Sequence, residues 1–389
     1  MRTVGDDERR ARMAVRHGLA PGTRFGSAEE VARALTVLHA TEPGTPYLSA
    51  WARVPGFVRG EVERALEVDR TLVKQLAMRR TLFVFPRDLL PHALGSAAAR
   101  VAVTERQKLA KDLVDAGVTD DPDAWIERGR EATMARLAGG DELTAQELRA
   151  DVPDIDVTIV SSPGKRYEAK VNLAGRLLTV LGAEGLVVRG SNSSHWRVSK
   201  PRWTSMAAWL GEVPVLPGAD EGYREIIGRW LWTFGPGTVE DIRWWLGGTK
   251  AAVRTALADL SAVEVKLEGG DSGWLLPHDV DPVPDPGPWV ALLPVLDATV
   301  MGWKQREWYL GPHAERLFDT AGNAGTTAWV NGRAVGAWVQ DEAGRVELRM
   351  VEGVPTGARQ ALLAEADRLT DWLDGERVGT VYPSPAMRG

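Results

Sequence analysis

The chain has 389 residues, 44% apolar and 26% charged, enough for two to four structural units with cores of their own. It contains no cysteine, which excludes disulfides, thiolate metal sites and a cysteine nucleophile and points to a reducing cytoplasm. The net charge of −6 argues against a uniformly basic nucleic-acid binder, yet residues 1–110 hold 18 Lys/Arg against 12 Asp/Glu and residues 161–205 hold 8 against 2. Two basic zones in an acidic chain fit a one-sided electrostatic footprint, or solvated faces that cluster by chance.

The densely charged opening, Met1 to Arg16, carries no signal peptide, and no apolar run approaches the length of a membrane span. Ser27 as N-cap, Glu29 and Glu30 in the first turn, and Val31, Leu35 and Leu38 on one face predict a helix over 27–41, stopped by Pro43-Gly44. Short helices are predicted over 47–54 and 57–68, then a hairpin over 71–77 and 80–85 with its turn near Met78-Arg79. Three helices and a hairpin form the winged-helix pattern, in which the third helix enters a groove and the hairpin is the wing.

Residues 104–140 read as a polar helical bridge. Thr144 and Glu147 stand in capping-box spacing, 152–164 reads as an irregular loop, and 168–181 as one amphipathic helix. A hairpin of 186–189 with 196–199 follows. Helices over 223–234, 239–246 and 249–260 lead to wing strands 263–267 and 273–276. The proline-rich stretch 281–288 is a linker. Short strands, an Asn331-Gly332 turn, a helix over 357–373 and a last strand at 379–382 close the chain. The predicted architecture is α+β: three tandem winged helix-turn-helix units and a C-terminal β-barrel-like domain. Its divisions are 1–103 (lead-in and first winged helix), 104–210 (bridge and second), 211–280 (third) and 281–389 (linker and β-rich domain).

His39 and Thr41 flank the predicted helix end beside Glu42. An imidazole near neutral pKa can take a proton from water that a hydroxyl orients; equally, the His can bond backbone and Thr41 can cap the helix. Arg79 and Arg80 at a hairpin suit phosphate contact or a solvated turn. Lys165, Arg166 and Lys170, followed by Arg189, Arg197 and Lys200 among Trp196 and Trp203, make a candidate DNA-backbone surface. Lys304 and Arg306 either clamp phosphates or pair with Asp297 or Glu307. No P-loop, nucleophile elbow or His-Glu-x-x-His is present, so no metal site is expected.

Arg12, Gly18-Leu19, Phe25 to Val31 and Leu38-His39-Ala40-Thr41-Glu42-Pro43 together resemble the opening of the AlkZ/YcaQ-type DNA glycosylases, the HTH_42 winged-helix family. Where that family carries Gln-x-Gln or Gln-x-Asp, this chain has His39-Ala40-Thr41. Its Arg-x-Thr-Leu-His stretch is matched by Arg79 to Phe83, with Phe83 replacing the His. Leu293 to Asp297, Gly302 to Arg306 and Asn331 to Gly336 extend the likeness into the last domain. The resemblance implies duplex-DNA binding in a basic cleft and monofunctional, cofactor-free removal of an alkylated base by a monomer, with His39, Thr41 and Glu42 in the catalytic positions. A cytoplasmic, nucleoid-associated location goes with it. The alternative is a non-catalytic winged-helix DNA-binding protein, a regulator or lesion sensor.

Overall fold

Ser27 caps its helix as the sequence predicts, accepting from the Glu30 amide at 3.2 Å, but the helix spans only Ala28–Ala34. Thr36 then takes a left-handed conformation (φ 67°), and Leu38–His39 form a short strand instead of a helical turn. The stop comes from a distant element. Thr233 donates its hydroxyl to the Ala34 carbonyl at 2.8 Å, while the Thr36 and Thr233 hydroxyls lie 2.9 Å apart. The computed structural model describes residues 1–161, 164 and 168–388. Lys165 and Arg166 lie outside the described residues.

The Leu38–His39 strand is one edge of a three-stranded antiparallel sheet, beside Leu82–Pro86 and then Leu72–Leu76. His39 registers with Phe83, and Phe83 with Gln75. Helices Thr45–Trp51 and Gly60–Glu63 precede the hairpin, the second continuing through Arg64–Val68 in wider winding. At the hairpin tip Arg79 and Arg80 both have positive φ, 56° and 58°. The bridge is two helices, Ala99–Asp115 and Pro122–Leu137.

In the next segment the Thr144–Glu147 capping box forms as expected. The single helix predicted over 168–181 does not. Ala169–Asn172 pairs as a strand with Thr158–Ser161, and the helix is Leu173–Ala183. Asn172 ends the strand and starts the helix by accepting from the Ala174 amide at 2.9 Å. The hairpin strands are Val187–Asn192 and Pro201–Ser205. Trp196 is not on a strand: its ring is buried in the intervening turn, 5.2 Å from Tyr47 and 5.8 Å from Trp372.

Helices Ala219–Phe234, Val239–Leu246 and Lys250–Asp259 and strands Val263–Leu267 and Ser272–Leu275 fall close to their expected positions. Thr3–Val4 joins this sheet in parallel with Val263–Leu267, so the chain's opening packs against residues near 265. The C-terminal sheet is an open antiparallel meander of Val290–Leu293, Thr327–Val330, Arg333–Gln340 and Val346–Met350. It is no closed barrel: its outer strands do not pair with each other, and helix Thr356–Leu373 packs against both. The strand predicted at 379–382 is absent. Thr380 and Val381 bond the Glu42 carboxylate in place of a strand ladder.

One continuous core joins the first hairpin, the helices of 219–259 and the C-terminal sheet, and a second core fills the segment between Leu109 and Trp203. Buried polar groups stitch the first core. Arg53 and Asp297, both inaccessible to solvent, form a two-point ion pair at 2.7 and 3.0 Å. Ser49 donates to Asp297 at 2.6 Å, and the Thr299 amide does so at 2.9 Å. Burial alone raises a carboxyl's pKa, yet the Arg53 guanidinium and these donors hold Asp297 below its usual range. Among the described residues no helix is long and apolar enough to cross a membrane.

Candidate functional site

Because His39 sits on a strand, its side chain shares a sheet face with Phe83, whose ring centroid is 5.0 Å away in an edge-to-face arrangement. It borders a hollow of about 20 Å³, room for a single water, walled by Leu35, Phe83, Trp245 and Met301 and by Arg79. The ring keeps a little exposure, yet its Nδ1 is buried without a hydrogen-bond partner among the described residues. Burial, reinforced by the nearby Arg79 cation, pushes the imidazole pKa down to about 3. The side chain is therefore neutral at physiological pH, with one ring nitrogen carrying a lone pair that can accept a hydrogen bond and the other an N–H that can donate one.

Beside the hollow, two guanidiniums pack on one indole. Arg79 lies 4.2 Å from the Trp244 ring centroid and Arg306 lies 4.8 Å from it, with Arg306 also 4.2 Å over Phe318. Neither guanidinium has an acidic partner among the described residues; Arg306 donates Nε to the Trp303 carbonyl at 2.8 Å. Burial, and then the neighbouring Arg306 charge, lower the pKa of Arg79. Gly247 lets the two elements approach: its φ is +66°, and a Cβ there would stand 3.0 Å from the Arg79 amide nitrogen. Two cations held over aromatic rings, without acidic partners among the described residues, form a ready anion site.

The remaining candidate residues separate. Thr41 is exposed and does not border the hollow. The Glu42 carboxylate points to a different cavity and accepts from the Thr380 hydroxyl and the Val381 amide, each at 2.9 Å. Arg80 pairs with Glu105 at 2.7 Å, Lys304 with Glu240 at 3.3 Å, and Arg197 with Glu376. Lys170 and Lys200 are exposed. Arg189 lies 5.2 Å from the Trp203 ring in the cleft between the first hairpin and helix Leu173–Ala183, its pKa lowered by burial. Sequence reasoning missed Trp244 and Trp245. The high tryptophan count was a signal, but nothing local showed which indole meets which cation.

Among the described residues no group of three His, Asp or Glu is placed to hold a metal ion. Comparison with known proteins places the architecture among DNA-glycosylase-like repair proteins. Within that class, residues 32–372 match the DNA glycosylase AlkZ-like family, and the chain belongs to it. The fold is similar to that of Streptomyces sahachiroi DNA glycosylase AlkZ, with a TM-score of 0.74 at 22% identity, covering 95% of this chain and 98% of that one. No curated protein matches the sequence.

Proposed function

We propose that this protein binds duplex DNA as a monomer and hydrolyses the N-glycosidic bond of an alkylated base, with His39 at the reacting centre. The observation that carries this reading is the His39 Nδ1, without a hydrogen-bond partner among the described residues, beside a one-water hollow lined by Arg79, which shares the Trp244 ring with Arg306. In this reading the helix-and-hairpin segments act as three winged helix-turn-helix units within 1–103, 104–210 and 211–280, ahead of the β-rich 281–389. The guanidiniums hold backbone phosphates, and the work is done in the cytoplasm at the nucleoid.

In this mechanism, water accepted by neutral His39 attacks the anomeric carbon. The carbon–nitrogen bond breaks, its electron pair leaves with the base, and after attack the protonated oxygen passes a proton to the lone pair of His39. An imidazole with a pKa near 3 is a weak base, adequate for an oxygen already made acidic by bonding to carbon. Among the described residues no carboxylate borders the His39 hollow: Asp297 is paired with Arg53, and Glu42 faces a separate cavity. Such a site suits a leaving group that already carries positive charge, as an N7- or N3-alkylated purine does.

The test is incubation of pure protein with duplex containing 7-methylguanine, scored as free base. His39→Ala is expected to lower release at least 100-fold while DNA affinity stays within twofold. Unchanged release would remove His39 from the mechanism. The exposure of Thr41, and Phe83 against the His39 ring, favour the second reading, a non-catalytic DNA-binding regulator or lesion sensor. That reading requires binding without any base release by the unaltered protein.

A further inference from the structure

Glu42 opens a site of its own. On the far side of the segment that carries His39 lies a cavity of about 290 Å³, between helix Thr45–Trp51, the C-terminal sheet and residues 377–380. Its walls are apolar: Leu48, Val295, Trp338 and Met387. Among the described residues, the other polar side chains on its surface are already engaged inside the protein. Thr45 donates to the Val295 carbonyl and Thr326 to that of Trp338. The Gln340 amide donates to the Gly344 and Glu376 carbonyls and accepts from Val378. Arg377 donates to the carbonyls of Asp341 and Glu342.

Glu42 is the exception. Its Oε1 takes both bonds from Thr380 and Val381, and Oε2 has no hydrogen bond among the described residues. A fixed carboxylate with one oxygen left to accept, set in an apolar cavity of this size, selects a flat, largely apolar molecule with N–H donors on one edge. His39 and Glu42 are three positions apart, so at most about 11 Å of chain lies between the two sites, a span comparable to one nucleotide.

We propose that this cavity receives a purine base, lodged beside Trp338, with the Glu42 Oε2 accepting from the purine's ring and amino N–H donors. Glu42 is then a specificity-determining residue, distinct from the water-holding role of His39. The identity of the heterocycle as a purine rests on the base-excision reading above.

The experiment is calorimetric titration of the full chain with free 7-methylguanine, and separately with caffeine, a purine whose ring nitrogens carry no hydrogen. Saturable binding of 7-methylguanine is expected, with caffeine at least tenfold weaker. Glu42→Gln keeps an oxygen for Thr380 and Val381 but presents a donor to the ligand's donors, and is expected to weaken 7-methylguanine at least tenfold. Absence of saturable binding, equal affinity for caffeine, or a Glu42→Gln affinity within twofold of the unaltered protein overturns the proposal. The caffeine arm stands on the unaltered protein even where the variant folds poorly. Base release from DNA, assayed in parallel, separates the two readings. Release without free-base binding overturns the cavity's role and leaves excision standing, whereas binding without release does the reverse.

Discussion

Arg53 and Asp297 meet in a solvent-free two-point ion pair although they stand 244 positions apart in the chain. Arg53 also donates Nε to the His17 carbonyl at 2.8 Å, and His17 Nδ1 lies 2.8 Å from the Thr299 hydroxyl. One network thus fixes the first helices, the Ala219–Phe234 helix through Thr233, and the loop that passes between the His39 hollow and the Glu42 cavity. A buried pair is weak evidence of net stabilisation, but removing one member leaves a charge without a partner in a dry interior.

Asp297→Asn is therefore expected to destabilise the fold by about 3–5 kcal/mol, read from urea unfolding. The native pair also gives acid sensitivity. Asp297 holds its proton more weakly folded than unfolded, so its contribution is complete above about pH 4 and is lost as pH falls below that. The variant's unfolding midpoint should lack this part of the acid loss. A cost under about 1 kcal/mol, the range of an exposed pair, would show that water reaches the site.

Two histidines add a second pH dependence. Burial, with Arg53 beside His17 and Arg79 beside His39, pushes each imidazole down to about 3 from 6.5. The unfolded chain binds these protons more readily, so their contribution is whole above about pH 6.5 and is progressively lost as pH falls towards 3. Proton NMR should find both rings neutral at pH 5. If His39 acts as a neutral acceptor, base release should show no inflection between pH 5 and 8; a break near 6.5 would show an imidazole with an ordinary pKa.

Cations differ in what they already hold. Arg79→Ala and Arg306→Ala should each lower the salt-dependence slope of DNA binding by about 1, because each removes an uncompensated charge. Arg197→Ala and Lys304→Ala should change the slope far less, since Glu376 and Glu240 already hold those side chains in ion pairs that a phosphate would have to displace. Equal slopes for all four variants would remove acidic pairing as the feature that sorts them.

Gly247 permits the Arg79 hairpin to reach Trp244. Gly247→Ala forces a side chain into a left-handed conformation at a cost of about 1–2 kcal/mol and places its Cβ against the Arg79 amide. Thermal unfolding should register the cost, and DNA affinity should fall alongside it. Destabilisation with unaltered affinity would show that the contact of Arg79 with the Trp244 ring is not needed for binding.

Features written in adjacent residues were determined by the sequence itself. The Thr144–Glu147 capping box, the Asn331-Gly332 turn with both φ values positive, the amphipathic helices between 219 and 259, and a family resemblance carried by several short motifs are of this kind. They rest on caps, turn stereochemistry and helical periodicity, each acting within a few bonds or one helical turn. Tertiary structure decided the rest. Thr233 cut the Ser27 helix short and left His39 on a strand; residues 380–381 turned Glu42 away from His39; Glu376 and Glu240 took Arg197 and Lys304 into ion pairs, while Arg79 and Arg306 have no acidic partner among the described residues. These partners lie tens to hundreds of residues apart. Local spacing cannot encode them, because a side chain's charge and direction are settled by what packing brings against it.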